Sequence, residues 1–233
     1  MGKFINDRFL SKVTIPELIY WWIFRIIIIS PVLFNLPSTH ENIKLQVTTN
    51  FCATFLWEIF QFLPKKFVLS HLSPNFQKFT IFQLFLTSFL GAYLDFYYSL
   101  WWWDSFIHMI GGGLLVAIGY EIFTAMQIKY KAVVHLAIIV FGSFCFSFLL
   151  GDIWEIFEFL FDQFTGSDSQ HWDMTRAVAD YSIFKYSDAR FPIMDTMIDM
   201  ICNTVGAFIF AIFLRIRPYY HRGKNNINDK LSK

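Results

Sequence analysis

Long apolar runs separated by short polar segments dominate the chain. Crossing a hydrocarbon core of about 30 Å takes roughly 20 helical residues, and a helix satisfies its own backbone hydrogen bonds in lipid. Apolar stretches of about this length recur along the sequence, each bounded by charged or turn-forming residues. The pattern predicts six membrane-spanning helices, at about residues 15–36, 47–63, 79–98, 104–126, 133–163 and 195–215.

Composition strengthens this interpretation. Of the 233 residues, 55% are hydrophobic, 21% aromatic and only 16% charged. A soluble domain carries about 25% charged residues, so the apolar excess must face lipid. The predicted fold class is therefore all-α, a polytopic membrane helical bundle of about six transmembrane helices with the lipid bilayer as its partner. A net charge of +1 argues against nucleic acid as a partner, and the sequence does not specify an oligomeric state.

The distribution of Lys and Arg predicts the orientation of the bundle. With the N-terminus inside, 14 of the 19 basic residues flank the cytoplasmic ends and four lie outside, as the positive-inside rule requires. This places a cytoplasmic N-terminus at residues 1–14, the transmembrane domain at 15–215 and a basic cytoplasmic tail at 216–233. Residues 165–194 become an external loop, with a short surface helix around Trp172–Tyr181. The loop is either a solvated connector or a lid over a site.

Polar side chains inside the predicted spans form an outer layer on spans four, five and six. Helical spacing of three or four residues aligns them in stripes, one stripe on each span. We name this set the outer cluster: Asp104, His108, Glu155, Glu158, Asp195, Asp199 and Asn203. Carboxylate and imidazole ligands suit Mg²⁺, Mn²⁺ or Zn²⁺, so a divalent metal ion is the candidate cofactor. The candidate metal ligands are His108, Glu158 and Asp199.

Other interpretations of the outer cluster stay open at this point. The same groups suit proton relay. Asp104 and Asp195 each begin a predicted span, where an aspartate caps free backbone N–H groups and complements the helix dipole. His108, Glu158 and Asp199 are also suited to hydrogen bonds between neighbouring helices.

A second, inner layer contains Arg25 on span one, Glu58 on span two and Glu121 on span four. A buried arginine is tolerated chiefly when it is paired with a carboxylate. We therefore predict an inner ion pair that joins Arg25 to one or both glutamates. The alternative is an inner gate of a transport path.

Two short sequences recur along the chain. WEIFQFL at 57–63 is echoed by WEIFEFL at 154–160, and DSFIHMI at 104–110 by DTMIDMI at 195–201. Internal duplication is common in transporters, but chance similarity competes with it in a chain this rich in Phe and Ile.

Three sequence blocks together resemble a known family. They are FYYSLWWWDSFIHMIGGG at 96–113, GDIWEIFEFLFD at 151–162 and DTMIDMICNTVGA at 195–207. In this order they resemble the YjdF-like family of uncharacterised bacterial multi-pass inner-membrane proteins, over residues 79–213. The resemblance implies the bacterial cytoplasmic membrane as location. A more distant similarity to VanZ-like proteins, which also carry Asp-x-x-x-His on one helix, suggests an envelope-related role.

The sequence thus predicts a multi-pass bacterial cell-membrane protein with an outward-facing carboxylate and histidine cluster, and it does not specify a biochemical function. An envelope-related accessory role is the first hypothesis. A proton- or cation-coupled small-solute transporter is the alternative, and a metal-dependent hydrolase or transferase acting on a lipid-linked substrate is the second alternative. The sequence contains no nucleophile motif, phosphate-binding loop or His-rich zinc signature that would argue for an enzyme.

Overall fold

The structure is a computed structural model that describes residues 12–37, 43–166, 168–172 and 190–216. These residues form helices and turns with no strand among them, so the all-α membrane bundle is confirmed. The predicted surface helix, the N-terminal segment and the basic tail lie almost entirely outside the described residues. The α-helices are α1 Ile15–Leu33, α2 Ile43–Ala53, α3 Leu56–Phe62, α4 Pro74–Leu84, α5 Phe96–Ser99, α6 Trp103–Tyr130, α7 Leu136–Thr165 and α8 Phe191–Ile216.

Within the described residues, four helices are long and apolar enough to cross a membrane: α1, α6, α7 and α8. They coincide with the predicted first, fourth, fifth and sixth spans. Large apolar side chains such as Phe141 and Phe208 are exposed on their outer surfaces, as lipid contact requires. The 30 residues of α7 measure about 45 Å at ~1.5 Å per residue, so this helix tilts or projects beyond the hydrocarbon core.

Local signals in the sequence explain where several helices begin and end. Pro16 lies in the first turn of α1, and Thr14 and Glu17 form a capping box in which the Thr14 N–H donates to Glu17 Oε2 at 2.8 Å. Ser73 caps α4, because its Oγ accepts the Asn75 N–H at 3.1 Å. Helix α7 ends at Gly166, whose φ of 69° suits a residue without a side chain.

The predicted second and third spans are interrupted in the structure. The second divides into α2 and α3 at residues 54–55, and the third passes from α4 into a π-helical segment at Phe85–Tyr93. In that segment Gly91 contacts the ring of Tyr97, and Asp95 turns the chain with a φ of 62°. The assignment of these two regions as membrane spans remains a prediction.

Helix α6 lies at the centre of the bundle and packs against α4, α7 and α8. Its crossing with α8 is very close: a Cβ atom on Gly112 would overlap the Asn203 carbonyl, and one on Gly206 would overlap the Met109 carbonyl. Only glycine allows two helix backbones to touch in this way. Asp104 and Gly112 on α6 lie beside Asp199 and Asn203 on α8, so the two helices run in the same direction.

Two apolar cores hold α6 in place. Val116 and Tyr120 pack against α7 and α8, where Ala207 and Leu214 are also buried. On the side of α1, α3 and α4, the second core contains Trp21, Trp57, Leu72, Phe76, Ile81 and Ala125. Burial of one large apolar side chain contributes about 1.5–3 kcal/mol. These cores therefore fix the position of α6, whose first turns carry Asp104 and His108 of the outer cluster.

Candidate metal centre

Helices α6 and α8 each present a stripe of polar side chains at one end of the bundle. Asp104 and His108 are four residues apart on α6, and Asp195 and Asp199 are four apart on α8, so each pair shares a helix face. The close crossing at Gly112 and Gly206 places the two faces side by side. One ligand atom each from Asp104, His108 and Asp199 lies within 4.8 Å of the other two.

His108 stands between carboxylates on both edges of its ring. Its Nε2 lies 3.6 Å from Asp104 Oδ1 and 3.8 Å from Asp199 Oδ2, while its Nδ1 lies 3.7 Å from Glu155 Oε1 on α7. These distances exceed those of hydrogen bonds. Ligand atoms around a tetrahedral Zn²⁺ lie roughly 3.4 Å apart, because each is about 2.0–2.2 Å from the ion. The space between Asp104, His108 and Asp199 is therefore close to the size of a metal site.

Two buried carboxylates of the cluster lack donors. Asp199 is 1% exposed, and among the described residues neither of its oxygens has a hydrogen-bond partner. Glu155 is 6% exposed, and its Oε2 is likewise unpartnered within the described part of the chain. Burying a carboxylate without a compensating partner is strongly unfavourable. A cation between these groups would supply the missing interaction.

His171 extends the cluster from the segment that follows α7. Its Nδ1 lies 3.0 Å from Asp195 Oδ2, and it forms with Asp104 and Asp195 a second group of ligand atoms within 4.8 Å of one another. Its ring meets the edges of the Tyr98 and Phe191 rings at 6.1 and 6.3 Å. Asp104 thus belongs to both groups of potential ligands.

Hydrogen bonds hold the segment that carries His171. The Asp162 carboxylate accepts the backbone N–H groups of Ser169 and Gln170, both at 2.9 Å. The Gln170 side chain donates to Thr196 Oγ1 on α8 at 3.0 Å. The segment is thereby joined to the ends of α7 and α8, and this brings His171 over the first turns of α6.

The carboxylates control the charge of His171. Burial lowers the pKa of the imidazole, but the contact with Asp195 and the charges of Asp104 and Asp168 outweigh burial and raise its pKa to about 9. His171 is therefore an imidazolium at neutral pH when no metal is bound. A metal ion at this position would have to displace its proton, as is usual for histidine ligands.

The remaining members of the outer cluster lie beside these groups. Glu158 Oε1 accepts the indole N–H of Trp154 at 2.8 Å, and Glu158 belongs to neither group of potential ligands within the described residues. Asn203 lines a small cavity of about 20 Å³ together with His108, Asp152 and Glu155. A cavity of this size holds about one water molecule.

The structure places neither aspartate at a helix cap position. Trp102 occupies the cap position of α6, and Asp104 lies in the first turn, where a carboxylate still complements the helix dipole. Helix α8 begins at Phe191, so Asp195 lies beyond its first turn. The capping part of the interpretation therefore does not hold for these two positions, and the dipole part holds for Asp104.

In the inner layer, Arg25 pairs with Glu58. The Arg25 Nη2 contacts Glu58 Oε1 and donates to the Thr54 carbonyl at 2.6 Å. The Arg25 Nε donates to Thr54 Oγ1 at 3.2 Å. The Thr54 carbonyl is also contacted by Gln77 Nε2. The guanidinium lies 3.8 Å above the centre of the Phe55 ring. We name Arg25, Thr54, Glu58 and Gln77 the break network, because they satisfy the carbonyl left free between α2 and α3.

Glu121 has different partners from the other two residues predicted for the inner ion pair. Its Oε1 accepts from Asn75 Nδ2 at 3.4 Å, in the first turn of α4. A carboxylate at this position complements the positive end of the helix dipole. The structure thus brings Arg25 and Glu58 together and places Glu121 beside α4.

Sequence reasoning missed the potential ligand His171 and the two uncharged members of the break network, Thr54 and Gln77. His171 belongs to no helical stripe, and its only signal was its position in the long polar loop, which we considered as a lid. Thr54 and Gln77 carry no charge, so a search for charged residues within spans does not detect them.

An all-α membrane bundle with a buried cluster of carboxylates and histidines defines the class of this protein. Residues 19–219 match a family described as "Predicted membrane protein (DUF2238)", and the chain belongs to this family. It is also similar to an uncharacterised protein of Thermotoga maritima, at 28% identity over 129 residues. That alignment covers 55% of this chain and 56% of the relative, so the chain spans about half of the relative's length. No solved structure matches the chain.

Proposed function

We propose that this membrane protein binds a divalent metal ion between Asp104, His108 and Asp199 and uses it as a resident cofactor. The observation that carries the proposal is the position of His108. Its Nε2 faces Asp104 and Asp199, and its Nδ1 faces Glu155. With an ion between Asp104 and Asp199, these positions would give a carboxylate–histidine–metal arrangement, in which a carboxylate behind the ligating imidazole orients it and increases its basicity.

The chemistry that fits this site best is metal-assisted hydrolysis or group transfer on a lipid-linked substrate. A bound divalent ion polarises a substrate oxygen or lowers the pKa of a bound water. In this chain, Glu155 would hold His108 in one tautomer, and the unpartnered oxygens of Asp199 would face the ion. The cavity beside His108 and Asn203 has room for one water molecule.

The proposal includes a location and an orientation. The excess of Lys and Arg at the predicted cytoplasmic flanks supports cytoplasmic termini and a site that opens to the outer face. Trp101 and Trp102, 63% and 41% exposed, precede α6, and exposed tryptophans favour the headgroup region. We further propose the bacterial cytoplasmic membrane and YjdF-like membership, on the three sequence blocks described above.

The other two hypotheses have less support. An accessory role would use the cluster for hydrogen bonds between helices, but the Asp199 oxygens have no such partner among the described residues. A transport path between α6 and α8 would be closed at their crossing, where Gly112 and Gly206 bring the two backbones into contact and Val116 and Ala207 are buried. The set of potential ligands on the outer side of this crossing favours metal-dependent chemistry.

The test is the metal content of detergent-purified protein, measured by elemental mass spectrometry on the wild type and on His108→Ala and Asp199→Asn variants. His71→Gln is the matched control, because His71 Nε2 contacts the Lys65 carbonyl, away from the cluster. We expect bound metal in the wild type and the control and less metal per chain in both cluster variants. A wild type that binds no divalent ion after reconstitution would contradict the proposal. Unfolding temperatures show whether each variant remains folded.

A further inference from the structure

Building on the metal site proposed above, we propose that the centre is binuclear. A second divalent ion would lie between Asp104, His171 and Asp195, and the Asp104 carboxylate would bridge the two ions. The juxtaposition that supports this is the pair of ligand groups, Asp104–His108–Asp199 and Asp104–His171–Asp195, which share Asp104. Ions of borderline or hard character, such as Zn²⁺ or Mn²⁺, suit these nitrogen and oxygen ligands.

The shared position of Asp104 is the geometric reason for a bridge. Each group offers three ligand atoms that lie within 4.8 Å of one another, and a carboxylate has two oxygens, one for each ion. Bridged pairs of catalytic ions lie about 3.5–4 Å apart. Because His108 and His171 approach Asp104 as members of separate groups, each ion would have its own imidazole.

Contacts within the protein hold His171 in this position without a bound ion. The residue is 4% exposed, and its Nδ1, although 3.0 Å from Asp195 Oδ2, makes no well-directed hydrogen bond within the described residues. Its segment is held by the bonds from Ser169 and Gln170 to Asp162 and by the bond from Gln170 to Thr196. None of these bonds involves the imidazole. The segment therefore presents the ring to Asp104 and Asp195 without using the imidazole to hold itself in place.

The charge of the site also favours two ions. Asp104, Asp195 and Asp199 supply three ligand carboxylates, and Glu155 and Glu158 lie next to them on α7. Lys and Arg form no ion pair with Asp104, Asp199 or Glu155 within the described residues. One divalent ion together with a protonated His171 would balance three of these five negative charges, and two ions would balance four of them.

The experiment is a titration of metal-free, detergent-purified protein with Mn²⁺, followed by electron paramagnetic resonance. Free aqueous Mn²⁺ gives a sharp signal, so the bound ions per chain can be counted at equilibrium. Two Mn²⁺ ions bridged by a carboxylate also show exchange coupling. The variants are His171→Gln, Asp195→Asn and His108→Ala, with His71→Gln as the matched control away from the site.

We expect the wild type and the control to bind two coupled Mn²⁺ ions per chain, one for each ligand group. Each of the three cluster variants should bind one ion and lose the coupling. Saturation of the wild type at one ion would overturn the binuclear centre, leave His171 and Asp195 as an ion pair, and keep the proposed function. Binding of two uncoupled ions would overturn the bridge. Absence of binding would overturn the proposed function as well.

Discussion

The break network and the outer cluster bury charged residues in opposite ways. Arg25 is 2% exposed, but it faces Glu58, the Thr54 carbonyl and the Phe55 ring. Asp199 is 1% exposed, its oxygens have no hydrogen-bond partner among the described residues, and His108 Nε2 lies 3.8 Å away. In the first region a buried charge has partners within the protein. In the second, carboxylates outnumber the groups that could balance them.

This difference distinguishes charged residues that stabilise the fold from charged residues that are suited to bind a ligand. The break network satisfies the backbone where α2 ends and α3 begins, so its charged pair belongs to the fold. In the outer cluster, by contrast, Asp104 does not occupy the cap position of α6, and the Asp199 oxygens have no hydrogen-bond partner among the described residues. These unpartnered oxygens are suited to a ligand from outside the chain. Substitutions in the two regions should therefore have opposite effects on stability.

The largest expected effect is on the break network. Arg25→Met would leave Glu58 buried without its partner, and removal of one member of a buried ion pair costs about 3–5 kcal/mol. We expect a loss of this size in the free energy of unfolding, measured in detergent micelles. The double variant Arg25→Met/Glu58→Gln should recover much of it. A single variant as stable as the wild type would mean that the pair is not structural.

Asp199→Asn should weaken metal binding without lowering the stability of the metal-free protein, the reverse of what we expect for Arg25→Met. Removal of a metal ligand should weaken metal binding by more than about 100-fold, since even an outer-shell partner contributes 10–100-fold. Without metal, the variant should be at least as stable as the wild type, because a neutral amide replaces a buried carboxylate that lacks a donor. Calorimetric metal titration, together with unfolding in the presence of a chelator, checks both effects. Destabilisation as large as that of Arg25→Met would show that the two regions are alike.

Gly206→Ala tests whether the close helix crossing assembles the outer cluster. The added Cβ would overlap the Met109 carbonyl, and overpacking of this kind costs about 1–3 kcal/mol. We expect a lower unfolding temperature and weaker metal binding, because α8 carries Asp195 and Asp199. Gly113→Ala is the matched control, since its Cβ would lie 3.4 Å from the Gly206 carbonyl oxygen. Equal effects in the two variants would contradict the role of the crossing.

Glu155→Gln should have an intermediate effect on the metal centre alone. Glu155 faces His108 Nδ1 at 3.7 Å, and loss of an outer-shell partner lowers metal affinity by about 10–100-fold. The variant should still bind the same number of ions, with weaker affinity. Loss of the ion altogether would make Glu155 a ligand itself.

The smallest effect is expected at Glu158. Its carboxylate accepts the Trp154 indole N–H and lies outside both ligand groups among the described residues. Glu158→Gln should change metal affinity by about twofold at most, equivalent to about 0.5 kcal/mol. The same titration as for Asp199→Asn measures it. A loss as large as that of Asp199→Asn would restore Glu158 as the ligand predicted from the sequence.

Much of the fold could be predicted from the sequence, because hydropathy and helical periodicity are local properties. The predicted first, fourth, fifth and sixth spans correspond to α1, α6, α7 and α8. The breaks within the predicted second and third spans were missed. Apolar composition does not distinguish one continuous helix from two shorter helices, as in α2 and α3, or from an α-helix followed by a π-helical segment, as after α4. Helix α8 begins at Phe191, four residues before the predicted span at 195–215, and Pro192 near its beginning was a usable signal for the helix start.

The sequence by itself determined which side chains would be expensive to bury and which of them share a helix face. Asp104 with His108, and Asp195 with Asp199, follow from a spacing of four residues. Only the tertiary structure decided which faces meet. The contact of two glycine-lined backbones brought α6 and α8 together, and hydrogen bonds to Asp162 and Thr196 brought His171 over them. Such contacts join residues far apart along the chain, so they depend on packing between helices and leave no periodic pattern in the sequence.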